Sequence, residues 1–163
     1  MTSPPLWTRR QALVPLLASP LLASCSAVGA FNAIVPPEAG AKRAVEGASY
    51  GPETRQKLDL YVPTTPVRGA PVVQFIYGGS WDSGDRASYA FVGEALAARG
   101  IVTAVVDTRL VPEVRFPAFV EDSAAATVWL KANAAAHGGD PGRIFVMGHS
   151  SGAYNAAMVA VTP

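Results

Sequence analysis

Cysteine is almost missing from this 163-residue chain: Cys25 is the single one, so no disulfide can form within it. Histidine is scarce as well. His137 and His149 are the two, and with one cysteine at no ligand spacing they give no basis for a metal site. Charged residues make up 15% of the chain, below the roughly 25% of ordinary soluble domains. The net charge of +1 carries no basic block behind it, which removes the footprint of a nucleic-acid binder. The apolar run Leu13–Leu22 is broken by Pro15 and Pro20 and falls short of the ~20 residues a membrane-spanning helix needs. The glycine cluster Gly138–Gly142 leads into a strand rather than a helix, so it lacks the helix N-terminus of a phosphate loop, and no cofactor is expected.

What is present begins with a leader. Residues 1–10 carry Arg9 and Arg10 and no acid, and the short apolar run follows, as in an export signal. Thr8-Arg9-Arg10-Gln11-Ala12-Leu13 is similar to the twin-arginine signature, with Ala12 in place of the usual Phe. The run closes on Leu22-Ala23-Ser24-Cys25, which looks like a bacterial lipobox, with Cys25 the lipid-attachment residue. The alternative is a conventional cleavage site near Val28-Gly29-Ala30. Either way the protein is expected to be exported, and with the lipobox it is a periplasmic or cell-surface lipoprotein held on a membrane surface by its acyl chains. Residues 26–47, rich in Ala, Pro and Gly, read as a tether without a packed core, and residues 48–163 as the folded domain.

The domain is organised around Arg143–Gly152. Ile144–Met147 has the length and β-branched, aromatic character of a buried parallel strand, and the small residues from Ala153 to Ala160 read as a helix. Between them stands Gly148-His149-Ser150-Ser151-Gly152, the G-x-S-x-G pattern. A nucleophilic serine needs a sharp strand-to-helix turn in unfavourable backbone angles, and glycines two residues either side keep neighbouring side chains from colliding. The helix start adds free N–H groups and a positive dipole end.

Upstream, Leu58–Val62 alternates apolar and polar, as a half-buried or edge strand does. Val72–Tyr77 and Ile101–Val106 read as buried strands; Ser88–Arg99, stopped by Gly100, and residues 118–136, with Phe119, Val120, Ala124, Val128 and Leu130 as an apolar stripe, read as helices. That alternation argues for an α/β fold with a parallel sheet. Tyr77-Gly78-Gly79-Ser80-Trp81 runs a strand into two glycines whose backbone can approach a ligand; beside the Ser151 N–H, these donors complete an oxyanion hole. The plainer reading is a glycine turn with Trp81 in the core. Asp85, Asp107, Arg109 and His137 read as structural, and His149, next to Ser150 on the turn, is poorly placed to be its base.

These segments together resemble the α/β-hydrolase superfamily, in its carboxylesterase/lipase branch of hormone-sensitive-lipase-like esterases, acetylesterases and kynurenine-formamidase-like enzymes. The carriers are Leu58-Asp59-Leu60-Tyr61, Tyr77–Trp81, Asp107-Thr108-Arg109-Leu110, Gly138–Arg143 and Gly148–Gly152, in the family's order. The resemblance implies a mostly parallel sheet with helices on both faces, Ser150 as nucleophile, and backbone N–H groups of Gly78, Gly79 and Ser151 as the oxyanion hole. It implies a serine hydrolase of small-molecule carboxylic esters working through an acyl-enzyme. The alternatives are a non-catalytic hydrolase-like binding module and an amidase or formamidase. The family usually has His where Tyr77 stands, a change that bears on loop geometry. The triad order is Ser, then Asp or Glu, then His; the 13 residues after Ser150 contain neither. The expectation is therefore the N-terminal part of such a domain, inactive alone, with its elbow strand at an uncovered sheet edge.

Overall fold

The computed structural model describes residues 27–161. The leader, the twin-arginine-like segment and Cys25 lie outside the described residues. Helix α1 (Ala27–Ile34) precedes strands β1 (Ala41–Ser49), β2 (Lys57–Pro63) and β3 (Ala70–Ile76). A 3-10 turn (Ala87–Tyr89) opens helix α2 (Ala90–Ala97), followed by β4 (Val102–Val106) and α3 (Ala118–Asn133). A second 3-10 turn (Ala134–His137) leads to β5 (Gly139–Gly148) and α4 (Ser151–Val161).

The sheet order is β1-β2-β4-β3-β5. β3 runs parallel to both β4 and β5, while β2 is antiparallel to β1 and to β4. The sheet is thus mixed where the sequence pattern suggested a mostly parallel one. Helices cover both faces. Leu58, Leu60, Val72, Val102, Ala104 and Val106 meet Ala126, Leu130 and Ala134 from α3 and its 3-10 extension on one face. Tyr61, Phe75, Tyr77 and Val105 meet Tyr89 and Ala97 from the α2 segment on the other.

Three expectations are corrected. Residues 26–47 are not a free tether, because β1 pairs along β2 and α1 docks on the start of α2. The Phe31 ring meets Phe91 edge-on at 5.1 Å, and the Asn32 amide bonds Ala87 O and Phe91 N–H. An edge strand is held by backbone pairing, so its small side chains give no apolar run to read. Second, β2 is an interior strand, with Asp59 and Tyr61 each 1% exposed. Its polar alternation marks a buried ion pair: Arg86 Nε donates to Asp59 Oδ1 at 2.7 Å, and Gly47 N–H to the same oxygen at 2.8 Å. Third, α3 turns Ala124 and Val128 outward, Val128 being 67% exposed. It buries Asp122 instead, which accepts from Gln56 Nε2 and from the Arg109 guanidinium.

Candidate active site

β3 and β5 lie side by side, so the segments after Ile76 and Gly148 emerge at the same end of the sheet. The turn after β5 has the expected backbone: Ser150 has φ 52°, a left-handed conformation that L-residues rarely adopt. Ser150 is exposed, and its hydroxyl bonds no described residue. The flanking glycines are sterically required. A Cβ on Gly148 would lie 2.2 Å from Gly152 O, and one on Gly152 would lie 2.1 Å from Ile76 O.

The diglycine segment reaches this turn. A Cβ on Gly78 would lie 2.9 Å from Ser150 Cβ and 2.8 Å from His149 Nδ1, so only glycine admits this approach. Gly78 N–H and Ser151 N–H find no backbone acceptor among the described residues. Gly79 N–H differs from expectation: it donates to Ser151 Oγ at 3.1 Å. A ligand oxygen reaching that amide must displace the Ser151 hydroxyl.

The loop from Gly79 to Asp85 is fixed from several sides. Ser80 and Trp81 are also left-handed, at φ 51° and 61°. The Trp81 ring stacks on Phe119 at 5.4 Å and meets Tyr154 edge-on at 5.6 Å. Its indole N–H donates to Asn155 Oδ1 at 2.9 Å, and Asn155 Nδ2 donates to Phe119 O and Ser123 Oγ. Trp81 is therefore a packed aromatic that also ties the diglycine loop to α4. Asn155 has no sequence signal pointing to it; the pair is separated by 74 positions.

Tyr77 anchors the other side of the loop. Its hydroxyl donates to Asp107 Oδ1 at 2.6 Å and accepts from Arg55 Nη2 at 2.9 Å, while its ring stacks on Tyr89 at 5.4 Å. Burial, then the Asp107 charge, pushes the phenol well above its ordinary value, so it stays a donor. Asp107 also takes Arg86 Nη1 and Arg86 N–H. Burial opposes the Arg86 charge, but bonds to Asp59 and Asp107 outweigh it and hold that guanidinium above its usual value. Arg109 is raised by its bonds to Asp122. Asp107 and Arg109 are thus structural, as is Asp85, which accepts from Ser88 N–H at 2.8 Å.

Neither histidine serves Ser150. The His149 ring faces Tyr89, with Nδ1 3.4 Å from the phenol oxygen, and His137 ends the 3-10 turn at the far end of the sheet. Among the described residues no group of three His, Cys, Asp or Glu side chains is placed to hold a metal ion.

Comparison with known proteins adds a family. The BD-FAE family model matches residues 58–163. The probable isoprenylcysteine alpha-carbonyl methylesterase ICME of Oryza sativa subsp. japonica is 38% identical over 116 residues, covering 71% of this chain and 28% of that protein. The carboxylesterase NlhH of Mycobacterium tuberculosis is 38% identical over 129 residues, covering 77% and 40%. Among solved structures, esterase B from Lactobacillus rhamnosis matches in fold with a TM-score of 0.78 at 24% identity, covering 91% of this chain and 49% of that one. A bacterial heroin esterase matches with a TM-score of 0.73 at 28% identity, covering 92% and 47%. The chain spans about a quarter of the length of the plant relatives and about half of these structures.

Proposed function

The chain belongs to the BD-FAE family, in the carboxylesterase branch of the α/β-hydrolases, and from that premise we propose that it carries the nucleophile of a carboxylic-ester hydrolase. The observation that carries this reading is Ser150, strained at φ 52° at the tip of the strand–helix turn and set against Gly78. In the proposed reaction the Ser150 hydroxyl adds to the ester carbonyl carbon and passes its proton to a general base. The carbonyl oxygen takes up the negative charge and receives the N–H groups of Gly78 and Ser151, with that of Gly79 once the Ser151 hydroxyl gives way. The alcohol departs with a proton, and water then cleaves the acyl-enzyme.

The substrates are small-molecule esters. Tyr154, 44% exposed, meets Trp81 edge-on, and Phe116, 56% exposed, meets Tyr154 in turn; together they form an aromatic rim suited to an apolar ester group. A fluorophosphonate probe tests the chemistry: it is expected to label the whole protein at Ser150 and to lose that label in Ser150→Ala. Hydrolysis of p-nitrophenyl esters that survives Ser150→Ala at full rate refutes the reading.

The finer reading, an exported lipoprotein on a membrane surface, is supported by Leu22-Ala23-Ser24-Cys25 behind a basic, apolar leader. Metabolic labelling with radioactive palmitate in a bacterial host is expected to mark the chain and to be lost in Cys25→Ser. Equal labelling of the two rules out Cys25 as the attachment point.

A further inference from the structure

At the end of the sheet opposite Ser150, where β2 finishes and β3 and β5 begin, lies a cleft of about 670 Å³. Its walls come from β1, from the loop after β2 and from the 3-10 turn after α3. The cleft is firmly built. Gly138, at φ 83°, closes the 3-10 turn so tightly on the loop that a Cβ would lie 2.4 Å from Val67 O. Ala70 N–H donates to Gly138 O at 3.0 Å, and Arg143 Nη1 to Gly69 O at 3.2 Å.

Three separate elements bring cationic or N–H-donating side chains to this surface: Lys42 from β1, Arg68 from the loop and His137 from the turn. No acidic residue lines the cleft, and none of the three has a hydrogen-bond or ion-pair partner among the described residues. Arg43, Arg55, Arg86 and Arg109, by contrast, each have a carboxylate. The turn's carbonyl end does not repel an anion at full strength, because Gly138 N–H caps Ala134 O and Ala135 O. The remaining walls are mainly apolar, Val62 and Pro66 among them.

We propose that this cleft is an anion-binding site that takes a phosphate or phosphate-ester group, with Lys42 and Arg68 supplying charge and His137 an N–H donor. Arg68 offers the fork that fits two phosphate oxygens, Lys42 a point charge, and an imidazole donates one N–H even when neutral. The site is independent of Ser150 and of any ester chemistry there.

The test uses the full 163-residue chain and two probes: inorganic phosphate and the monomeric short-chain lipid dihexanoyl phosphatidate. Each is titrated against ¹⁵N-labelled protein. Saturable amide shifts are expected at Thr64–Arg68 and Ala135–Gly138, with affinity falling roughly tenfold for each of Lys42→Ala and Arg68→Ala. Arg68→Glu is expected to abolish binding, whereas Lys57→Ala, outside the cleft, leaves it unchanged. These side chains are exposed or half-buried, and circular dichroism checks that the variants fold. Equal affinity for the two probes identifies free phosphate chemistry, and at least tenfold tighter phosphatidate identifies a lipid headgroup; both support the site. Absence of saturable shifts with either probe, or shifts that persist unweakened in Arg68→Glu, overturns it.

Discussion

A left-handed φ at Ser150 costs about 1–2 kcal/mol for an L-residue, and it persists because Gly148 and Gly152, two positions either side, and Gly78 across the turn have no side chains to collide. The tightest is Gly152, where a Cβ would lie 2.1 Å from Ile76 O and 2.4 Å from Tyr77 O. Both are backbone atoms at the end of β3 and cannot swing aside. Gly152→Ala is therefore expected to destabilise the fold by about 1–3 kcal/mol through overpacking, read as a lower urea midpoint. An unchanged midpoint, with fluorophosphonate labelling retained, means that the turn has slack that these distances deny. The Gly79–Ser151 contact belongs to the same scale. G-x-S-x-G identifies Ser151 as a backbone donor, but its hydroxyl occupies a neighbouring donor, a detail set by side-chain rotamer and invisible to a pattern.

Strands and helices were legible in proportion to how far burial shaped their composition. β3 and β4 lie inside the sheet and carry the near-continuous apolar runs that this position imposes, each broken by one buried polar residue, Gln74 and Thr103. β1, an edge strand of small and charged residues, carries no such run, and its composition is that of a linker. β5 is the opposite edge among the described residues, pairing with β3 alone. It exposes Phe145 at 55% and Met147 at 45%, in register with Val73 and Phe75 on one face. An apolar edge of this kind promotes self-association. Replacing both, Phe145→Lys with Met147→Lys, is expected to shift the 163-residue chain toward monomer in sedimentation velocity. The change in stability is expected to stay within about 0.5 kcal/mol because both sites are exposed. Unaltered sedimentation in the double variant places the association elsewhere.

Across the whole molecule, the buried tyrosines couple folding to alkaline pH. Burial raises Tyr61 to about 12, and raises Tyr50 and Tyr77 further, with nearby carboxylates acting in the same direction. An unfolded tyrosine releases its proton near pH ~10, so the folded state holds these protons more tightly. The linked stability is complete below that pH and is lost as pH rises toward and through the folded values. The urea midpoint is expected to fall above about pH 10, with the 295 nm absorbance of the three buried phenolates, Tyr50, Tyr61 and Tyr77, appearing together with unfolding. Ionisation of all five tyrosines in a still-folded chain contradicts this. The sequence by itself determined the α/β alternation, the strand–turn–helix around Ser150 and the diglycine loop, because each is a local demand of backbone geometry on neighbouring residue types. Only the tertiary structure decided that Asp59 and Asp122 are buried ion-pair partners, that Trp81 is held by Asn155, and that Lys42, Arg68 and His137 share one cleft. Those relations join residues far apart in the chain, and a polar side chain reads the same in sequence whether it meets water or a partner across the core.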